Sequence, residues 1–213
     1  MSVRADVVYT LDASDAIVEV NEAWTAFAAS NGGATLLSPA ILGRSLWDFL
    51  ADETTSLIYR RLFERVRAGA GPVRFGFRCD APAVRRLLEM TITAQPGGAL
   101  TLVVRALQLE DRPVMPLLDP GVKRSEILVR MCAWCKRIPD SSGRWMEIEE
   151  ALPRLEIFQQ QGLPAITHGI CQDCQRLMTV AIEDAERAAS GAITLGDWPP
   201  LDMHLPVNGS RTP

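Results

Sequence analysis

Val73-Arg-Phe-Gly-Phe-Arg-Cys79 and the two runs that follow it decide the fold of the first half of this 213-residue chain. Val73, Phe75, Phe77 and Cys79 alternate with Arg74, Gly76 and Arg78, the period-two pattern of a half-buried strand. A second strand is expected over residues 85–93, with Leu88, Met90 and Ile92 on one face. Pro96-Gly97-Gly98 supplies a turn, and Leu100, Leu102 and Val104 alternate along a third strand at 99–109. Three strands joined by short turns pair antiparallel, because a parallel pair needs a crossover of a dozen or more residues.

Upstream, the β-branched runs Val7-Val8-Tyr9 and Ile17-Val18-Glu19-Val20 flank the turn Asp12-Ala-Ser-Asp15 and read as a hairpin. Asn21 is placed to N-cap a short helix over Glu22–Ala29, which Asn31-Gly32-Gly33 ends. A short helical stretch follows at Ile41–Leu50. Asp52 then caps an amphipathic helix with Ile58, Leu62 and Val66 on one stripe, flanked by Leu57 and Phe63. The order ββ, helices, βββ predicts an α+β fold, an antiparallel sheet with helices on one face.

Val18-Glu-Val-Asn21-Glu-Ala-Trp24, Gly43-Arg-Ser-Leu-Trp-Asp-Phe-Leu50 and the closing three-strand meander resemble a PAS domain over residues 5–110. The resemblance implies a sensory or docking module that takes a small ligand or a partner, and PAS domains commonly dimerise, so a homodimer is one expected assembly. Both histidines, His168 and His204, lie outside this segment, which argues against a histidine-ligated haem there. The Asn-Cys-Arg-Phe motif of flavin photosensors is absent. Trp24, Trp47 and Phe49 are expected in the core, with a cavity lining as the functional alternative. Cys79 is expected to be a small core residue. Arg78, Arg85 and Arg86 read either as a solvated sheet face or as an anion or carboxylate contact, with Asp80 a partner for one of them.

Downstream, Pro113, Pro116, Pro120 and Gly121 mark a linker at 113–124 between a sensory domain at 1–112 and a module at 125–190. A helix is expected over Val122–Met131, leading into the strongest chemical signal in the chain, Cys132-Ala-Trp-Cys135 and His168-Gly-Ile-Cys171-Gln-Asp-Cys174. Each CxxC turn supplies two thiolates, and two turns complete a tetrahedral zinc site. The alternatives are metal-free thiols, an iron–sulfur cluster, and a dithiol–disulfide switch. His168 is expected either beside the ligands or as a substitute for one of them. Between the pairs, Ile138–Gly143 reads as a hairpin turn, Arg144–Ile148 as a strand and Glu149–Gln160 as helix; Gly169 is expected to permit close backbone approach. A helix follows Cys174 to about residue 189, and residues 191–213 read as a disordered tail. The strings Cys132-Ala-Trp-Cys-Lys-Arg-Ile138 and Thr167-His-Gly-Ile-Cys-Gln-Asp-Cys174 resemble a small cysteine-rich, zinc-ribbon-like module appended to bacterial signalling domains, to which no settled activity belongs.

The whole chain carries a formal charge of −4, from 22 Lys and Arg against 26 Asp and Glu. No segment has a basic surplus, which argues against nucleic acid and makes a transcriptional regulator the weakest reading. No 18-residue apolar run and no signal-peptide core are present, so a cytoplasmic protein without a membrane span is expected. No Walker loop, kinase Gly-rich loop, phospho-acceptor histidine segment or cyclase signature occurs, and the zinc-deaminase pattern fails because Gly169 and Ile170 follow His168. The expectation is a non-catalytic sensory or adaptor protein acting with a signalling partner such as a histidine kinase or another PAS protein. A redox or metal sensor at the four cysteines is the alternative.

Overall fold

A computed structural model describes residues 5–50, 52–154, 162–187 and 193–194. β1 (Val7–Leu11) and β2 (Ile17–Val20) form the expected hairpin. Asn21 caps α1 (Glu22–Ser30). Its side-chain oxygen accepts from the Trp24 amide at 2.9 Å and from the Val8 amide at 3.1 Å, so one residue fixes the helix to the hairpin. The stretch before Asp52 forms only a 3₁₀ turn at Leu46–Phe49. Asp52 caps α2 (Glu53–Arg67) through the Thr55 amide at 2.6 Å, and α2 buries Ile58, Leu62, Phe63 and Val66.

The meander forms as expected: β3 (Val73–Arg78), β4 (Val84–Ala94) and β5 (Leu100–Asp111). With β1 and β2 they make five antiparallel strands in the order β3-β4-β5-β1-β2. Leu88 pairs Ala106 while Leu87 pairs Gln108, so Leu107 is the extra residue of a β-bulge. Val73, Phe75, Met90, Ile92, Leu100 and Leu102 form the buried face, with α2 against it.

The second half departs from expectation at its entry. The run expected to be a helix at Val122–Met131 is a strand, β6 (Arg124–Cys132). It pairs in parallel with β9 (Leu163–Gly169), with Met131 opposite His168 and Cys132 opposite Gly169. Ile127 and Val129 are β-branched and fit a pleated surface, but the partner strand lies more than thirty residues away and no local pattern announces it. The crossover between them holds a two-residue hairpin, β7 (Ile138–Pro139) with β8 (Trp145–Met146), and α3 (Ile148–Arg154). The hairpin turn is closed by Asp140, whose carboxylate accepts from the Ser142 and Arg144 amides. Residues 155–160 of the expected helix lie outside the described residues.

The proline-rich stretch is packed. Pro116–Leu118 forms a 3₁₀ turn, and Leu117 is buried in a second core with Met131, Ile138, Met146, Ile148 and Leu152. The expected tail lies outside the described residues except Ile193–Thr194, which form β10 and extend the sheet by pairing in parallel with β3.

α4 (Gln172–Arg187) lies against α2. Its Met178 and Ile182, together with all four clustered cysteines and Trp134, belong to the same continuous apolar core as Phe75, Phe63 and Leu102. The cysteine turns and α4 therefore share one core with the sheet domain, while the rest of the second half has its own.

Candidate metal centre

Cys132 ends β6, and its amide donates to the Arg137 carbonyl at 2.8 Å while its own carbonyl accepts from Lys136 at 3.0 Å. These bonds close a tight turn, which Lys136 completes with a φ of 62°. The Ala133 amide donates to the Gly169 carbonyl at 2.7 Å, and this bond brings the end of β9 beside the turn. Cys171 then caps α4 and Cys174 lies in its first turn. A β-carbon on Gly169 would stand 3.1 Å from Arg130 Cδ, so the close approach expected at this glycine is to the Arg130 side chain.

The four sulfurs lie within 4.8 Å of one another, and all four residues are buried. Cys135 Sγ and Cys171 Sγ are 3.7 Å apart, and a tetrahedral ion with metal–sulfur bonds of about 2.3 Å sets its sulfurs about 3.8 Å apart. All five cysteines are free thiols.

The backbone is arranged for negative charge. Cys132 Sγ accepts from the amides of Cys135 at 3.5 Å and Cys171 at 3.4 Å, and Cys171 Sγ accepts from the Cys174 amide at 3.4 Å. The N-terminus of α4 adds its positive potential at Cys171 and Cys174. Hydrogen bonds from the Cys135, Cys171 and Cys174 thiols pull the Cys132 thiol well below the ordinary cysteine range. Cys132 and Cys171, then burial, push the Cys135 thiol up, and Cys132, Cys135 and Cys171, then burial, push Cys174 up. Four thiols in one buried site cannot all ionise without a cation. Arg137 brings its guanidinium charge toward Cys135 and Cys171.

His168 is exposed and lies outside the sulfur group. Cys79 is half-buried and apart from it. Trp24 and Trp47 pack against the sheet core, but Phe49 is 36% exposed and sits beneath the Arg44 guanidinium, so it is not the core residue expected.

The arginines depart furthest from a solvated face. Arg78 and Arg85 are 2% and 1% exposed. Strand alternation aims both away from the face that carries Phe75 and Leu88. There they meet carboxylates of the cysteine-rich half. Arg78 pairs with Asp80, as expected for Asp80, and with Glu147 at 2.6 Å. Arg85 pairs with Glu149 at 3.0 Å. Arg112, also buried, bridges Glu149 at 2.9 Å and Asp80 at 3.2 Å. Burial alone would lower the Arg78 pKa, but Asp80 and Glu147 outweigh it and hold the guanidinium charged. Arg86 instead donates to Asn31 at 2.8 Å and stacks over Phe27, which ties α1 to the sheet.

On the opposite face, Trp134 of the Cys132–Cys135 turn enters the sheet-domain core. It is 2% exposed, with ring centroids 5.6 Å from Tyr59 and 6.0 Å from Phe75. The cysteine-rich half therefore grips both faces of the β3–β4 end. Sequence reasoning missed Trp134, Arg112, Glu147 and Glu149. An indole set between two ligands was a visible signal, since an aromatic of that size on a tight turn seeks cover. The glutamates gave none: Glu147 meets Arg78 from 69 residues away and Glu149 meets Arg85 from 64.

No family model matches the chain, and no curated protein matches it. Among solved structures it is similar to the crystal structure of a sensory box sensor histidine kinase from Vibrio cholerae, at 11% identity and a TM-score of 0.35, covering 50% of this chain and 84% of that one. At that score the likeness assigns no role to any residue here. Among the described residues, no helix is long and apolar enough to cross a membrane.

Proposed function

We propose that this chain is a non-catalytic sensory or adaptor protein of signal transduction, in which a PAS-like sheet domain is joined to a structural zinc site made by Cys132, Cys135, Cys171 and Cys174. The mutual spacing of the four sulfurs is the observation that carries the metal reading. An iron–sulfur cluster spreads its thiolates over more than one iron and so holds them further apart than a single ion does. Sulfurs all within 4.8 Å favour one ion. Four buried thiolates also leave no coordination position for water, which favours a closed structural site over a catalytic one. Zinc there would supply charge neutralisation and a cross-link between the turn after β6 and the start of α4.

The sensory reading draws on the five-stranded antiparallel sheet covered by α1 and α2, together with the PAS-like motifs at Asn21–Trp24 and Gly43–Leu50. Output then belongs to a partner such as a histidine kinase or another PAS protein, in the cytoplasm. A second reading, a metal or redox sensor, is favoured by one observation: the turn that holds two of the ligands also carries Trp134 into the sheet-domain core.

Metal analysis of the purified protein tests both readings. The expected result is one zinc per chain and no visible absorption. Iron with sulfide and visible absorption would replace the zinc reading. Absence of any metal, with thiols that titrate freely, would remove both.

A further inference from the structure

Trp134 is held to the sheet domain twice. Its carbonyl accepts from the Arg78 amide at 2.8 Å, which ties the turn to the last residue of β3. Its indole lies against Tyr59 of α2 and Phe75 of β3, and Tyr59 in turn packs edge-on against Phe63 and Phe75. The same residue is fixed covalently between Ala133 and Cys135. The next residue, Cys135, carries a sulfur that faces Cys171 Sγ at 3.7 Å. Among the described residues, the buried indole N–H has no hydrogen-bond partner. Leaving a buried donor unpaired is unfavourable, so the seat is held by apolar packing and by the turn that carries it, with no polar bond from the indole itself.

We propose that Trp134 couples metal occupancy to the packing of the sheet domain. With the four thiolates joined through one ion, the Cys132–Cys135 turn is closed and the indole is seated between Tyr59 and Phe75. Without the ion the turn opens, the indole leaves, and α2 loses its cover at Tyr59. This deepens the metal reading above and rests on it. Trp134 is a positioning residue: it touches the aromatic cradle and holds no metal. Linkage makes the coupling reciprocal, so a ligand or partner that reshapes the cradle changes metal affinity by the same factor.

The test is a double-mutant cycle on the full chain with Co²⁺ as probe, reading the thiolate-to-metal absorption. Trp134→Leu and Tyr59→Leu are each expected to lower Co²⁺ affinity on the order of tenfold. The double variant is expected to lose no more than either single, because both substitutions break the same contact. Leu57→Ala, on the exposed side of α2 at 53% exposure, is expected to change nothing. Single variants that both bind within about twofold of the parent would overturn the coupling. Should Trp134→Leu fail to fold, Tyr59→Leu and hydrogen exchange on the unmodified protein decide. Chelation is expected to strip protection from residues 53–67, and unchanged protection overturns the proposal. A parent protein that takes up no Co²⁺ sinks the metal reading and the coupling together; normal uptake with indifferent variants sinks the coupling alone.

Discussion

The backbone N–H of Arg78 donates to the carbonyl oxygen of Trp134 over 2.8 Å. One hydrogen bond thus joins the last residue of β3 to the turn between Cys132 and Cys135. The two residues diverge from there: the Arg78 side chain enters a charged network on one face of the sheet, and the Trp134 indole enters the apolar core on the other.

Removing a ligand should therefore be felt in both halves. Cys171→Ser leaves three sulfurs, and structural zinc supplies on the order of 10 kcal/mol of apparent folding free energy in small modules. Limited proteolysis of this variant is expected to cut both within residues 125–178 and in α2, with a single lowered melting transition by circular dichroism. Two separate transitions, with the sheet domain's unmoved, would show that the shared core carries no energy between the halves.

The charged network should be intolerant of losing one member. Arg78→Met leaves Asp80 buried without its closest partner and Glu147 without its 2.6 Å contact. Breaking a buried pair from one side costs about 3–5 kcal/mol. Urea denaturation of the zinc-loaded protein is expected to show a loss of this size. Leu57→Ala, at an exposed site, is expected to stay within about 0.5 kcal/mol of the parent.

Acid should loosen the same interface. Burial raises the Glu149 pKa, but the hydrogen bond from Arg85 and the charges of Arg85 and Arg112 outweigh it, and the net shift is downward. A carboxylate with a depressed folded pKa contributes its full stability above the unfolded value of about 4.3, and loses it as pH falls through the lower folded value. Chemical denaturation on an acid series is expected to show a shallower decline for Glu149→Gln than for the parent. Parallel declines would assign the acid limb to other groups.

His168 should be dispensable for the metal. It is exposed and outside the group of sulfurs. Competition with a chromogenic chelator is expected to give His168→Ala a zinc affinity within about twofold of the parent, since loss of a true supporting partner typically costs 10–100-fold. A tenfold loss would place the imidazole at the site after all.

The first half was legible because its signals are local. Alternation in Val73–Phe77, the caps Asn21 and Asp52, and the Pro96–Gly98 turn each act over a few residues and agree with one another. The four clustered cysteines were legible for a similar reason: each CxxC fixes two sulfurs within one turn, and only the meeting of the turns needed the fold.

β6 was misread as helix because its pairing with β9 depends on a chain segment far along the sequence. Arg78, Arg85 and Arg112 lost their solvent only when α3 brought Glu147 and Glu149 over the sheet, and no spacing in the sequence records that approach. The amino-acid sequence alone determined the β1–β2 hairpin, the β3–β4–β5 meander and the pairing of the four thiols within two CxxC turns, since each follows from short-range geometry; the pairing of β1 with β5 came from the fold. Tertiary structure alone decided that the Cys132–Cys135 turn and the sheet share one core, because burying an indole and three guanidinium groups requires surfaces from both halves at once.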